Sequence, residues 1–489
     1  METAASPMPQ TLHPPPPAPR RLAELPGPAR LPLLGNLLQI QPANMHRQLE
    51  AWAQTYGPLF RIQLGRRKLL IVADHGLFGA ALRDRPERFS RPLMGGRISR
   101  EMGFDQGLFF ANDEVWRRQR RMVMAGLDPG HIKAYFPSLL KVTRRLQARW
   151  QAAAGTGSSI DLQADLMRFT VDAIAGLAFG VDVNTLSSDE DVIQQHLNKI
   201  FPAISRRIFS LVPYWRYIRL PADRALDRSV AEVQVAVRGF IAEARRRLQA
   251  DPTRRERPGN LLEAMIVAAD EGDSGMDDHD VAGNVVTMLL AGEDTTANTL
   301  AWMIHLLWRN PQALARAREE VLRVAGDPSQ FTPERMAGLD YLEACAHETM
   351  RLKPVAPLLA VQTVQGTTLA NVELPPGTVV MGLMRHDSLQ DSHFPDAAAF
   401  LPERWLADGG PAQAASSAKR VSMPFGAGPR VCPGRYLALL EIKMAAAALL
   451  SSFEIHSVGP ASGTDVPEHL AFSMGPKGLR MRLRARSYS

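Results

Sequence analysis

Cysteine is almost missing: Cys345 and Cys432 are the two thiols in 489 residues. Two thiols cannot build a disulfide framework or a Cys-rich zinc or iron–sulfur site, and they fit a reducing, cytoplasmic setting. No run of about 18 apolar residues occurs, so no membrane-spanning helix is expected. The opening stretch, "METAASPMPQTLHPPPPAPRRLAELPGPAR", lacks the apolar centre of a signal peptide. It reads as a mobile, Pro-rich leader over residues 1–30, ahead of a single domain over 31–489. The net charge is only +7, from 57 Lys+Arg against 50 Asp+Glu, and no basic tract is interleaved with aromatics. Nucleic acid is therefore not an expected partner, although an acidic protein could be. The twelve histidines form no H-E-x-x-H or related metal spacing, and there is no internal repeat.

What is there begins with helix. "ANMHRQLEAWAQTYG" has the periodicity of an amphipathic helix, followed by short strands "PLFRIQL" and "RKLLIVA". From about 75 to 350 helical patterns dominate, broken by segments read as loops, "RPLMGGRISREMGFDQG" and "ADPTRRERPG". The longest helix candidate is 278–309, "DHDVAGNVVTMLLAGEDTTANTLAWMIHLLWRN". Asn310 is placed to cap the next helix, which carries Pro311 at its first position. After 352 come short strands such as "TTLANVELPPGTVVMGL", and "LADGGPAQAASSAKR" reads as a polar loop. The fold class is mainly α with a smaller β-rich region contributed by both ends of the chain.

Cys432 lies in "MPFGAGPRVCPGRYLALLE", where glycine and proline exclude regular structure until a buried helix begins. A helix start favours an anionic sulfur, because first-turn amides and the helix dipole face it. Arg430 could neutralise a carboxylate on a flat ligand, and Phe425 could shield the sulfur from water. The competing reading is a buried structural cysteine. "FGAGPRVCPG" resembles, at every defined position, the F-x-x-G-x-R-x-C-x-G signature of the cytochrome P450 haem-thiolate monooxygenases.

Four distant segments extend the resemblance. "AGEDTT" (Ala291–Thr296) is similar to the family's oxygen-activation motif. Its threonine, Thr295, is four residues after Ala291, so its hydroxyl can bond that carbonyl and bend the helix. Gly292 then leaves a groove for O2, and Asp294 becomes a gate for protons from solvent. "ETMR" resembles the family's E-x-x-R, and "FLPERW" its later arginine segment, giving a structural cluster of Glu348, Arg351 and Arg404. In "WRRQRR", Trp116 and Arg120 match a W-x-x-x-R whose side chains hold a haem propionate. Arg117, Arg118 and Arg121 form either a solvated face or part of a docking surface for an acidic electron donor. One departure concerns Gln362, which occupies a place where the family often has a propionate-binding arginine.

The resemblance implies the cytochrome P450 fold, with haem b between the long central helix and the Cys432 loop. Cys432 is its metal ligand; Trp116, Arg120, Ala291, Gly292, Phe425, Arg430 and Gly434 line the cofactor; Asp294 and Thr295 are catalytic. It implies insertion of one oxygen atom from O2 into a hydrophobic organic substrate by hydroxylation or epoxidation. Electrons are expected from a separate ferredoxin- or flavodoxin-type partner with its NAD(P)H reductase. The alternatives are a peroxide-driven peroxygenase and a non-catalytic haem sensor. "LPGPARLPLLGNLLQ" looks like the hinge of membrane-bound members without an anchor, which suggests a soluble, bacterial-type protein. The pocket segments are apolar, and Arg97, Arg100, Arg206 or Arg207 could meet a carboxylate, so the substrate stays open among fatty acids, terpenoids, steroids, aromatics and carrier-bound intermediates. Cys345 and His347 read as structural.

Overall fold

The long apolar stretch forms one helix, Asp278–Arg309, with the bounds its pattern implies. Asp277 starts it by accepting hydrogen bonds from the His279 and Asp280 amides at 2.9 and 3.1 Å. The computed structural model describes residues 18–127, 129–187, 192–210, 212–406, 412–460 and 465–486. Phe136–Thr156 packs on two of three helices that surround the long one, Leu162–Ile174, Asp340–Leu352 and Arg435–Ser452. The last of these is buried on every side from Glu441 to Ser452. Such a helix needs small apolar residues all round rather than one apolar stripe, and Ala445–Ala448 supply them.

The β-rich part joins the two ends of the chain. Leu59–Leu64 pairs antiparallel with Arg67–Val72, which runs parallel to Val379–Leu383 with Leu69 opposite Val379. Leu358–Thr363 follows, and Phe89–Ser90 closes the edge with Ser90 opposite Gln362. The structure is thus mainly helical with a smaller β-rich region.

Five expectations need correction. Arg20–Arg21 pair with Val372–Glu373, and Leu22 and Leu25 are buried, so residues 20–25 are docked and not part of a mobile leader. Residues 1–17 of that leader lie outside the described residues. The stretch read as a loop after Arg91 contains a helix, Leu93–Glu101. Its two glycines are poor helix formers, but a Cβ on Gly95 would stand 2.6 Å from the Phe110 ring, so close packing overrides propensity. Similarly, the second loop, "ADPTRRERPG", carries a single helical turn, Thr253–Glu256. "AQAASSAKRVS" is a helix, Ala412–Ser422, because its alanines favour one and Ala418 and Val421 bury against Trp405 and Phe394. Residues 407–411 of the expected polar loop lie outside the described residues. Finally, the Asn310 side chain does not cap the helix Pro311–Glu320; its Nδ2 donates backwards to the Leu306 carbonyl at 2.7 Å.

Candidate active site

Close backbone approach builds the Cys432 loop. Gly428 has φ +70°, and a Cβ there would stand 2.4 Å from the Leu82 carbonyl oxygen. Only glycine meets both conditions. The Cys432 amide donates to the Phe425 carbonyl at 3.0 Å, closing the loop just before the helix Arg435–Ser452, with Gly434 at its N-cap. Burial pushes the Cys432 thiol up, against the Gly434 amide, Arg120 and Arg435, which favour the thiolate. A metal cation held by the sulfur would complete the ionisation that these groups only begin.

On the helix Asp113–Gly126, Trp116 is buried and the Arg430 guanidinium lies over its ring, 4.6 Å from the centroid. Arg120 braces the loop itself, its Nη2 donating to the Val431 carbonyl at 2.9 Å. Arg430 donates to the Ala111 carbonyl at 2.6 Å and to Asn112 Oδ1 at 3.0 Å. Gln362 has both ends of its amide engaged, accepting from the Leu93 amide at 3.0 Å and donating to the Gly377 carbonyl at 3.1 Å. A cation is nevertheless present on that sheet edge, because Arg91 follows Ser90, the strand partner of Gln362.

Arg85, Arg91, Arg120 and Arg430 make no ion pair among the described residues. The Nε groups of Arg91 and Arg430 are buried without a hydrogen-bond partner. Burial, reinforced by Arg91 and by Arg85 on Arg430, lowers the guanidinium of Arg85 to about 9 and that of Arg430 to about 9. Burial alone brings Arg91 to about 10. Buried cations with free donors require an anion. The carboxylates of a flat dianionic cofactor fit this group, and sequence reasoning had missed Arg85 and Arg91.

On the long helix, Thr295 Oγ1 donates to the Ala291 carbonyl at 2.7 Å, the bond that the four-residue spacing implies. The segment nevertheless stays α-helical throughout. Gly292 serves packing: a Cβ there would lie 2.1 Å from Ile174 Cδ1, so its bare side is filled by the helix Leu162–Ile174. Asp294 is half-buried and tied into a network, accepting from Asn298 Nδ2 at 2.8 Å and from the Ser473 hydroxyl. Asn298 also donates to Ser473 at 2.9 Å and accepts from Gln163 at 3.0 Å. Burial pushes the Asp294 carboxyl up against the bonds from Ser473 and Asn298. Gln163, Asn298 and Ser473 were not legible as site residues, although Asn298 stands four residues after Asp294 on the same helix face.

Glu348, Arg351 and Arg404 do come together. Glu348 accepts from Arg351 Nε at 2.8 Å, Arg351 Nη2 at 2.7 Å and Arg404 Nε at 3.2 Å. The Leu401 amide and Trp405 Nε1 add bonds at 2.9 Å each. Arg351 also holds the Ser388 and Ala397 carbonyls at 2.6 and 2.7 Å. His347 stacks on Trp405, and Cys345 is fully buried, both structural placements.

The apolar segments "RPLMGGRISREMGFDQGLFF" and "HLAFSMG" meet where Phe109 and Phe472 pack at 5.7 Å, with the Arg91 guanidinium 4.3 Å from the Phe109 centroid. Arg207 is committed to Asp223 at 3.0 Å and is not free for a substrate carboxylate. Arg97, Arg100 and Arg206 are exposed. Of the basic face, Arg117 pairs with Glu114 and Arg118 with the Gly275 carbonyl, while Arg121 faces solvent.

A loop thiol at a helix start, anion-seeking arginines beside it and a threonine–aspartate pair on the central helix fit what a haem-thiolate site needs. Residues 25–483 match the family profile described as Cytochrome P450. The chain belongs to the cytochrome P450 family, whose cofactor is haem b.

It is 28% identical over 468 residues to the self-sufficient cytochrome P450 monooxygenase CYP505E5 of Aspergillus niger, covering 94% of this chain and 43% of that protein. It is 28% identical over 479 residues to the bifunctional cytochrome P450/NADPH–P450 reductase of Aspergillus oryzae, covering 94% of this chain and 41% of the relative. The Arabidopsis thaliana protein LUTEIN DEFICIENT 5, chloroplastic, is 28% identical over 409 residues, with 82% of this chain and 67% of the relative covered. The chain therefore spans less than half the length of the two fungal relatives. These relatives are fungal and plant proteins and lend no support to the bacterial-type expectation. No described helix is long and apolar enough to cross a membrane.

Proposed function

We propose that this protein is a haem-thiolate monooxygenase that inserts one oxygen atom from O2 into a small hydrophobic organic substrate. The observation that carries this reading is Cys432 at the head of the helix Arg435–Ser452, beside arginines that lack an anion. Bound haem supplies the activation of O2, with electron density from a cysteine thiolate favouring O–O cleavage.

The chain's own residues have separable tasks in this proposal. Cys432 ligates the iron, while the Gly434 amide and Arg120 stabilise its negative charge. Arg85, Arg91 and Arg430, with Trp116 beneath Arg430, hold the propionates. Phe425 shields the sulfur, Ala291 lets the long helix come close to the cofactor, and Gly292 seats that helix against Leu162–Ile174. Ser473 and Asn298 hold Asp294, which would relay protons from solvent to the Thr295 hydroxyl. Glu348, Arg351 and Arg404 keep the segment ahead of the loop rigid and take no part in the chemistry.

Electrons come, in this reading, from a separate ferredoxin- or flavodoxin-type protein fed by an NAD(P)H reductase. The name of the Aspergillus oryzae relative, which couples a P450 to an NADPH–P450 reductase, supports NADPH as their source. The two unpaired thiols support a reducing, aqueous compartment.

The test is turnover of the haem-loaded protein with reductase, NADPH and isotopically heavy O2 over a panel of fatty acids, terpenoids, steroids and aromatics. One heavy oxygen in the product is expected, together with a shift of reducing equivalents to hydrogen peroxide in Thr295→Ala. Faster turnover with hydrogen peroxide than with reductant would replace this reading by the peroxygenase. No product under either condition would leave a non-catalytic haem protein.

A further inference from the structure

Far from Cys432 in the sequence, three histidines converge on one carboxylate. His75 is the first residue of the helix His75–Arg83, capped by Asp74. Asp387 opens the turn Asp387–Leu389, and His393 lies in the segment that follows. Asp387 Oδ2 accepts from His75 Nδ1 at 2.7 Å and from the His75 amide at 2.8 Å. His393 Nε2 stands 4.0 Å from the same oxygen, and the His75 and His393 rings meet edge-on at 4.9 Å. His386 Nδ1 lies 3.0 Å from the other oxygen, Oδ1.

We propose that His75, Asp387 and His393 form a binding site for a zinc-like divalent cation, with His386 orienting the carboxylate. One ligand atom from each of the three lies within 4.8 Å of the others. A tetrahedral zinc site with bonds of about 2.0 Å spaces its ligands by about 3.3 Å, so small side-chain adjustments suffice. The cation takes the place of the proton between His75 Nδ1 and Asp387 Oδ2, and the neutral imidazole then carries its proton on Nε2. Two imidazoles and a carboxylate select a first-row cation such as zinc over calcium or magnesium. A water completes the set, since His393 is 34% exposed and His75 22%.

The frame is already rigid. Arg351 grips the Ser388 and Ala397 carbonyls on either side of His393, and Asp391 accepts from the Ala397 amide at 2.8 Å. His386 on the far carboxylate oxygen is the outer-shell partner such sites use. The consequence is structural. The cation fastens the start of the helix His75–Arg83 to the Asp387–His393 segment, and the other end of that helix supports Gly428 in the Cys432 loop.

The test uses the untagged, haem-loaded protein, stripped with chelator and titrated with zinc chloride by calorimetry, with elemental analysis of the dialysed complex. One zinc per chain is expected, with a zinc-dependent rise in Tm. His393→Gln and His75→Gln should abolish both effects at unchanged haem content. His386→Gln should weaken binding by about tenfold. His393 is partly exposed, so its variant carries the test should His75→Gln misfold. Wild-type protein that holds no more zinc than the double variant His75→Gln/His393→Gln would overturn the proposal. The readout is independent of oxygenase activity.

Discussion

Glu441 shows how a single buried residue sets a pH response. It is fully buried, and its Oε1 lacks a partner among the described residues. Burial pushes its carboxyl from 4.5 up to about 8, against the hydrogen bond with Thr296. The folded protein therefore keeps a proton there that the unfolded chain releases above its ordinary value. Stability from this group is complete below pH 4.5 and is lost progressively as the pH rises to about 8. Glu441→Gln should change unfolding free energy little at pH 4 and raise it by on the order of 4 kcal/mol at pH 8. Denaturant unfolding at both pH values checks this. A second residue-scale prediction separates Arg91 from Gln362. Losing a charge-assisted bond of about 1.5–3 kcal/mol, Arg91→Met should release haem about tenfold faster or more. Gln362→Met should leave the rate unchanged, with transfer to an apo-globin as the assay.

Two glycines of the Cys432 loop, a few residues apart, have opposite reasons to be glycine. Gly428 has a left-handed backbone and faces the Leu82 carbonyl, so Gly428→Ala should cost about 2–3 kcal/mol by thermal unfolding. A Cβ on Gly434 would meet no protein atom within 4 Å, and its φ is −85°. Gly434→Ala should therefore leave apoprotein stability within about 0.5 kcal/mol. Any loss of haem affinity would then report on the cofactor face. Elements were legible where one periodicity dominated, as in Asp278–Arg309. They were not where packing overrode local preference, as in Leu93–Glu101, whose paired glycines fit beneath Phe110.

Across the whole molecule, the Glu348 cluster joins the helix Asp340–Leu352 to the segment leading toward the Cys432 loop. It is buried with its carboxylate fully hydrogen-bonded, so removing one partner strands a charge. Arg351→Met should cost about 3–5 kcal/mol in unfolding free energy. Arg351→Lys should rescue little, because a lysine cannot reproduce the forked grip on Glu348 and the Ser388, Ala397 and Ala399 carbonyls. The motif by itself could be any exposed helix pair.

The sequence by itself determined the helical class, the long central helix, the thiol loop at a helix start and the Thr295–Ala291 bond. Each depends on local spacing along one element or one short loop. Tertiary structure alone decided that Arg91 supplies charge beside Gln362, that Ser473 reaches Asp294, and that His75 meets Asp387 and His393. Those contacts join segments distant along the chain, through strand register and helix packing, and no local periodicity encodes them.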